Sequence, residues 1–249
     1  MVGDITLNVL VPLYENEQMA FGCLSSINDC AKKNASLLFN IHVSDDSSEP
    51  FARRTVGNIQ WASNVQLSIR ETRSPISANN AVDNWNYLLD EISDGEYYVM
   101  LHHDERLPAA ELPRLKDSII LLGLEGVSRR RYTRLSRIIT YIVIKICPEL
   151  LLFVNFIGPT ACVISNIKIG YNNKLSWLVD IEYYVRLIRK SKTVKLVDLP
   201  IKSIYNYQSI TESINQYSAA LIETRIIGVK PLLRVLIITK YRIKKFLRK

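Results

Sequence analysis

The chain has 249 residues, 48% of them apolar, which suits one α/β domain with a short appendage and excludes a disordered chain. Its net charge of +8 is unevenly placed: residues 1–127 hold 9 Lys and Arg against 18 Asp and Glu, and residues 128–249 hold 23 against 6. Four cysteines without CxxC spacing argue against a zinc site or redox dithiol, and the opening MVGDITLNVLVPLYENE lacks the basic and long apolar stretches of a secretory leader, so a cytoplasmic setting is expected.

In chain order, residues 5–11 form a β-rich apolar run stopped by Pro12. Residues 17–31 have helical spacing, with Met19, Cys23, Leu24 and Ile27 on one stripe. A second strand is predicted over 39–43, ending in Ser44-Asp45-Asp46-Ser47-Ser48, then a helix over 51–62 and a third strand over 65–69. Residues 78–92 read as a helix and 96–101 as a fourth strand. Strands alternating with helices predict a largely parallel sheet, with ligands beyond the carboxyl ends of its strands. Three polar clusters stand at such ends: residues 13–16, Asp45 to Ser48, and His102-His103-Asp104-Glu105. No GxGxxG and no GxxxxGK[ST] appears, so neither a dinucleotide fingerprint nor a P-loop is available.

The second half is less regular. Residues 128–137 are basic and loop-like, and 138–157 are apolar but broken by Lys145, Pro148 and Glu149, which suggests a buried helix or an interfacial segment rather than a span. Residues 156–160 mark a turn that carries Gly158 and Thr160, and 161–164 a strand. A helix is predicted from Trp177 to Arg189, with Asp180 and Glu182 in its first turns, and another over 232–249.

Asp45 and Asp46 have two readings of equal weight, contacts to a ribose or base and the N-cap of the following helix. The 102–105 cluster is a candidate metal site, because oxygen ligands suit magnesium or manganese and imidazole tolerates manganese. Asp180 taken alone reads as a structural acid at a helix start.

Four stretches together resemble the inverting, nucleotide-sugar-dependent glycosyltransferases of family 2, which have the GT-A fold. They are ITLNVLVPLYENE, IHVSDDSSE, NWNYLLDEISDGEYYVMLHHDERLP and KIGYNNKLSWLVDIEYYVRL, in the family's order and covering residues 5–187. The resemblance implies a mixed, mostly parallel Rossmann-like sheet flanked by helices, with a GT-A domain over 1–227 whose nucleotide half ends near 107 and whose acceptor and base half covers 108–227. It places Pro12, Tyr14 and Glu15 at the base and ribose, Asp46 with Asp45 at the uracil, and Asn86 with Trp85 at the donor. Asp104 would bind a divalent metal, Mn2+ or Mg2+, bridging the donor diphosphate, and Asp180 would be the general base. The turn with Gly158 and Thr160 falls on the acceptor side. Two departures stand out: His102 occupies the position of the first DxD acid, and Val179 precedes Asp180 where the family often has Glu.

The segment 228–249 forms a basic amphipathic helix. Leu232, Val235, Leu236, Ile243, Phe246 and Leu247 share a face opposite Arg234, Lys244, Lys245, Arg248 and Lys249, with Ile237 and Ile238 falling off the apolar side. Such a helix reads as an anchor to an anionic membrane surface, or as a helix packed on the domain with a solvated basic face. Arg129-Arg130-Arg131 with Arg134 and Arg137, ahead of the apolar run at 138, repeat the combination. The expected partners are a nucleotide sugar, an anionic membrane on whose inner face the protein is peripheral, and a lipid-linked saccharide acceptor in surface polysaccharide (O-antigen or capsule) assembly. No nucleic-acid partner is expected, since no nucleic-acid-binding signature appears and the front half is acidic. The competing readings are a non-catalytic binder of anionic surfaces or nucleic acid, and a nucleotidyltransferase of similar fold.

Overall fold

The computed structural model describes residues 5–71, 81–125, 134–155, 157–204 and 215–247, with the side chains of 134–137 and 244–247 set aside. An eight-stranded sheet runs through it in the order β3-β2-β1-β4-β7-β6-β8-β5. The strands are β1 (Ile5–Leu13), β2 (Leu37–Asp45), β3 (Val65–Glu71), β4 (Tyr97–Met100), β5 (Glu105–Arg106), β6 (Ile119–Glu125), β7 (Val163–Ser165) and β8 (Val194–Ser203).

The first half follows the predicted alternation. β1 pairs in parallel with β2 on one side and β4 on the other, and β3 extends β2 in parallel. Between them stand α1 (Glu17–Lys33), α2 (Ala52–Gly57) and α3 (Ala81–Asp90). α1 buries Ala20, Cys23, Leu24, Ile27 and Ala31 along one stripe, with Asn16 accepting from the Met19 N–H at its start. Right-handed crossovers put α1 and α2 on one face and α3 on the other.

Pro12 does not end β1. The strand continues to Leu13, with Pro12 beside Ser44, because β4 pairs only over Leu7 to Leu10 and Pro12 therefore has a single neighbour strand. The helix expected over 51–62 is only the short α2, and the chain then turns so that Trp61 Nε1–H donates to the Val56 carbonyl at 3.1 Å.

In the second half β7 overlaps the strand expected at 161–164, and β5, β6 and β8 are additions that periodicity did not suggest. β7 runs antiparallel to β4 and β6, β8 runs parallel to β6 with an irregularity between Leu121 and Gly123, and β5 closes the edge against β8. The helices here are α4 (Arg134–Ile146), α5 (Val179–Lys190), α6 (Gln216–Ile226) and α7 (Pro231–Leu247). α4 includes residues expected to be loop-like, and it is not a buried helix: Thr140 and Ile144 are buried, whereas Ile138, Ile139, Tyr141, Ile142 and Ile146 are exposed. No helix among the described residues is long and apolar enough to cross a membrane.

Candidate active site

The carboxyl ends of β1, β2 and β4 bring the three polar clusters to one edge of the sheet. Glu15 adopts a left-handed backbone, φ 51°, a conformation that costs a non-glycine residue energy and needs fixing from outside. The fixing comes from the β2 loop: the Glu15 N–H donates to Ser47 Oγ at 2.8 Å, and Glu15 Oε1 accepts the Ser48 N–H at 2.7 Å. Tyr14, beside it, is exposed at the rim, and Pro12 is buried below.

The two aspartates of β2 divide their work. Asp45 is fully buried and accepts from the backbone of Ser47, Phe51 and Ala52 at 3.1, 2.6 and 2.9 Å, which caps α2. Of its two sequence readings, the capping one accounts for its carboxylate. Asp46 lies one residue further, its N–H donating to the Leu13 carbonyl at 3.2 Å, so it is tied to the end of β1.

The turn after β4 is held from three sides. The Glu105 N–H donates to the His102 carbonyl, and Glu105 Oε2 accepts the His102 N–H at 2.8 Å. The Asp104 carbonyl accepts from Ile204, and Arg106 reaches across to the Met19 carbonyl at 3.0 Å. Gly22 leaves room for that reach: a Cβ there would lie 2.5 Å from Arg106 Nη2. Trp85 packs on His102 with ring centroids 4.6 Å apart. Burial lowers His102 to about 4, so its imidazole is neutral, and its Nε2 is buried without a hydrogen-bond partner. A neutral imidazole with an orphaned nitrogen next to the Asp104 carboxylate fits one edge of a divalent-ion site. No three His, Cys, Asp or Glu groups converge among the described residues, so such a site needs oxygens from a diphosphate and water to be complete.

Asp180, the second residue of α5, lies across from this turn. Its Oδ1 is buried without a hydrogen-bond partner, and burial raises the carboxyl to about 6. It is within electrostatic reach of Glu105, whose own carboxyl is pushed well up by burial and by Asp104. Around it stand Tyr171 and Tyr184; Tyr171 stacks on Tyr183 at 4.1 Å, and Tyr183 shares a hydroxyl contact with Tyr98. Tyr184 Oη–H donates to the Gly158 carbonyl at 3.1 Å, which places the Gly158 turn beside Asp180. Thr160, in the next turn, has a buried hydroxyl without a partner. Asn86 faces the same region, but its amide is spent on the Tyr171 backbone: Nδ2 donates to the carbonyl at 3.0 Å and Oδ1 accepts the N–H at 2.6 Å. Glu105 belongs to the 102–105 cluster that the sequence offered as a metal site, but its carboxylate is turned back onto the His102 N–H; the tyrosines were given no role by sequence, since aromatics in apolar strands and helices look like ordinary core.

The architecture overlays on solved glycosyltransferases. S. aureus TarS 1–349 in complex with UDP-GlcNAc matches with a TM-score of 0.61 at 12% identity, over 95% of this chain and 71% of that one. The mannosyltransferase PcManGT from Pyrobaculum calidifontis, in complex with GDP-Man and Mn2+, matches with a TM-score of 0.56 at 12% identity, over 86% of this chain and 61% of that one. This chain has the GT-A fold. It spans 43% of the longer TarS chain. No family model and no curated protein sequence matches it.

The tail side chains fall partly outside the described residues: those of Lys244, Lys245 and Phe246, all of Arg248, residues 129–131, and the side chains of Arg134 and Arg137. What is described of α7 resolves the two faces noted in the sequence. Ile237 and Tyr241 are the buried residues and seat the helix on the body, with Tyr241 edge-on to Trp177 at 6.2 Å. Leu232, Val235, Leu236 and Ile243 are exposed, and Arg234 is half-buried. Lys240 contacts the Phe153 carbonyl, which sets α7 next to the segment that follows α4.

Proposed function

We propose that the chain is an inverting, metal-dependent glycosyltransferase that moves a hexosyl unit from a nucleoside diphosphate sugar, a UDP-sugar, to the hydroxyl of a lipid-linked saccharide in surface polysaccharide assembly. One observation carries the reading. Among the described residues, Asp180 bears the only carboxylate oxygen that is buried and unpartnered, and it faces the strand-end turn of Asp104 and Glu105 in a GT-A fold.

A carboxyl near 6 is largely ionised at neutral pH and basic enough to take a proton from an attacking hydroxyl. Pro12, Tyr14, Glu15 and Asp46 would hold the nucleoside at the ends of β1 and β2, with Asp45 shaping the loop and Trp85 and Asn86 shaping the donor side. Asp104 and His102 would hold Mn2+ or Mg2+, whose charge stabilises the departing diphosphate. Gly158 and Thr160 would border the acceptor. A single displacement with one base on the acceptor side inverts the anomeric centre.

The lipid-linked acceptor is supported by the exposed faces of α4 and α7. α4 and α7 present exposed isoleucines, leucines and a valine, accompanied by Lys145, Arg234 and Arg242, on the strongly basic half of the chain. A second copy docking there would bring like charge together, whereas an anionic bilayer would neutralise it. Calorimetry with UDP, UDP-GlcNAc and GDP-mannose, with and without Mn2+, tests the donor. Metal-dependent binding that Asp46→Ala weakens at least tenfold is expected; no binding of any nucleotide, together with salt-dependent binding of random DNA, would overturn the reading.

A further inference from the structure

We propose that Glu223 of α6 is the positioning residue for the Asp180 base, holding the backbone ahead of α5 and filling the anion seat at that helix's N-terminus. The inference rests on Asp180 being the base. Glu223 is 3% exposed, and its carboxylate is wholly engaged. Oε1 accepts from the Ser176 N–H and hydroxyl, both at 2.8 Å, and from the Trp177 N–H at 3.0 Å; Oε2 accepts from the Leu178 N–H at 2.7 Å and also from Trp177 at 3.2 Å.

Helix physics says why an acid is needed there. The first N–H groups of a helix lack intrahelical partners and are usually capped by the residue at the start. The N-cap of α5 is Leu178, whose apolar side chain accepts no hydrogen bond, and the acceptor for the N–H groups leading into the helix comes instead from α6. An aspartate in a first helical turn ordinarily draws on those N–H groups and on the positive end of the helix. Glu223 takes up the N–H groups just ahead of the helix, and Asp180 Oδ1 is left buried and unpartnered, available to a substrate hydroxyl. The groups that face Asp180 are Glu105 of β5, Tyr171 of the preceding loop and Tyr184 of α5 itself; Tyr241 of α7 faces Glu223.

The test uses the full chain as wild type, Glu223→Gln, Glu223→Ala and Asp180→Asn. UDP affinity is measured by calorimetry, turnover as UDP release from the UDP-sugar that binds in the screen above, and the Asp180 carboxyl by 13C titration, assigned with Asp180→Asn. Loss of Glu223 should lower kcat about 10- to 100-fold while UDP affinity stays within twofold. With the helix field no longer neutralised, the Asp180 titration and the acid limb of kcat should both move to lower pH by about half a unit to one unit. Glu223→Gln, which keeps the size and one acceptor oxygen, should show both effects in smaller measure, and it decides the matter if Glu223→Ala does not fold. Wild-type kcat, or a lowered kcat with an unmoved Asp180 titration, in folded Glu223→Gln overturns the proposal. Wild-type turnover in Asp180→Asn instead sinks the base assignment and this inference with it.

Discussion

At the residue scale, the proposed reaction turns on one unsatisfied carboxylate, that of Asp180. Asp180→Asn keeps the shape and cannot accept a proton, so kcat should fall about 10²- to 10⁴-fold with nucleotide affinity retained. The pH dependence has a definite sign. With Asp180 as the proposed base, its ionised form would be the active one, so turnover should rise as pH passes through about 6 and then level off. Stability runs the other way. A raised carboxyl binds its proton more tightly in the folded state, so the folded protein loses stability as pH climbs from the ordinary aspartate range through 6. A shift of this size corresponds to about 3 kcal/mol at most, reduced where water reaches the partly accessible side chain. Thermal melts should therefore show Asp180→Asn more stable than wild type at pH 7.5 and little different at pH 4. A parallel loss of stability at both pH values would mean that Asp180 supports the fold instead. Asp45 should behave in the opposite way: Asp45→Ala strips α2 of its cap and should cost about 1–3 kcal/mol in urea melts.

At the element scale, α7 has two apolar faces with different roles. Ile237 packs on the body, so Ile237→Ala should lower stability by about 2–5 kcal/mol. Val235 and, on α4, Ile142 point outward, so Val235→Asp and Ile142→Asp should leave the melting temperature within a degree or two and reduce flotation with anionic liposomes. Unchanged flotation in the double variant would remove the membrane role from these faces. α6 and α7 also carry Glu223 and Tyr241 onto the segment before Asp180, so substitutions test docking more cleanly than cutting the tail away.

At the scale of the whole molecule, an acidic front half and a basic rear half divide the chain. Asp46, Asp104 and Glu105 stand at the strand ends, and Lys145, Arg234 and Arg242 accompany the exposed apolar residues of α4 and α7. Vesicle binding should therefore weaken as salt rises from 50 to 500 mM, on the order of tenfold or more, yet leave a residue carried by the apolar faces; binding indifferent to salt would contradict an electrostatic contribution. Chelation should abolish turnover and weaken UDP binding, and added Mn2+ should restore both; full activity in chelator would rule out the metal assignment.

The sequence by itself determined the alternating strands and helices of the first half. Its strands and helices alternate regularly along the chain, so apolar runs, helical spacing, a polar cluster after each strand and the order of those clusters were enough to expect residues 12–15, 45–46 and 102–104 at one sheet edge. It also marked Asp180 as an acid at a helix start. Tertiary structure decided the rest, because the rest depends on partners far apart in the chain. β6 is a continuous apolar run and β8 contains Asp198 and Pro200, so neither shows a clean alternation until each is paired with the other. The outward apolar face of α7 became distinct only when Ile237 and Tyr241 were seen to supply the packing. Glu223 looks in sequence like any acid on a polar helix; only the fold sets its carboxylate on the N–H groups of 176–178, and only burial, a property of the assembled chain, turns Asp180 from a helix-start acid into a candidate base.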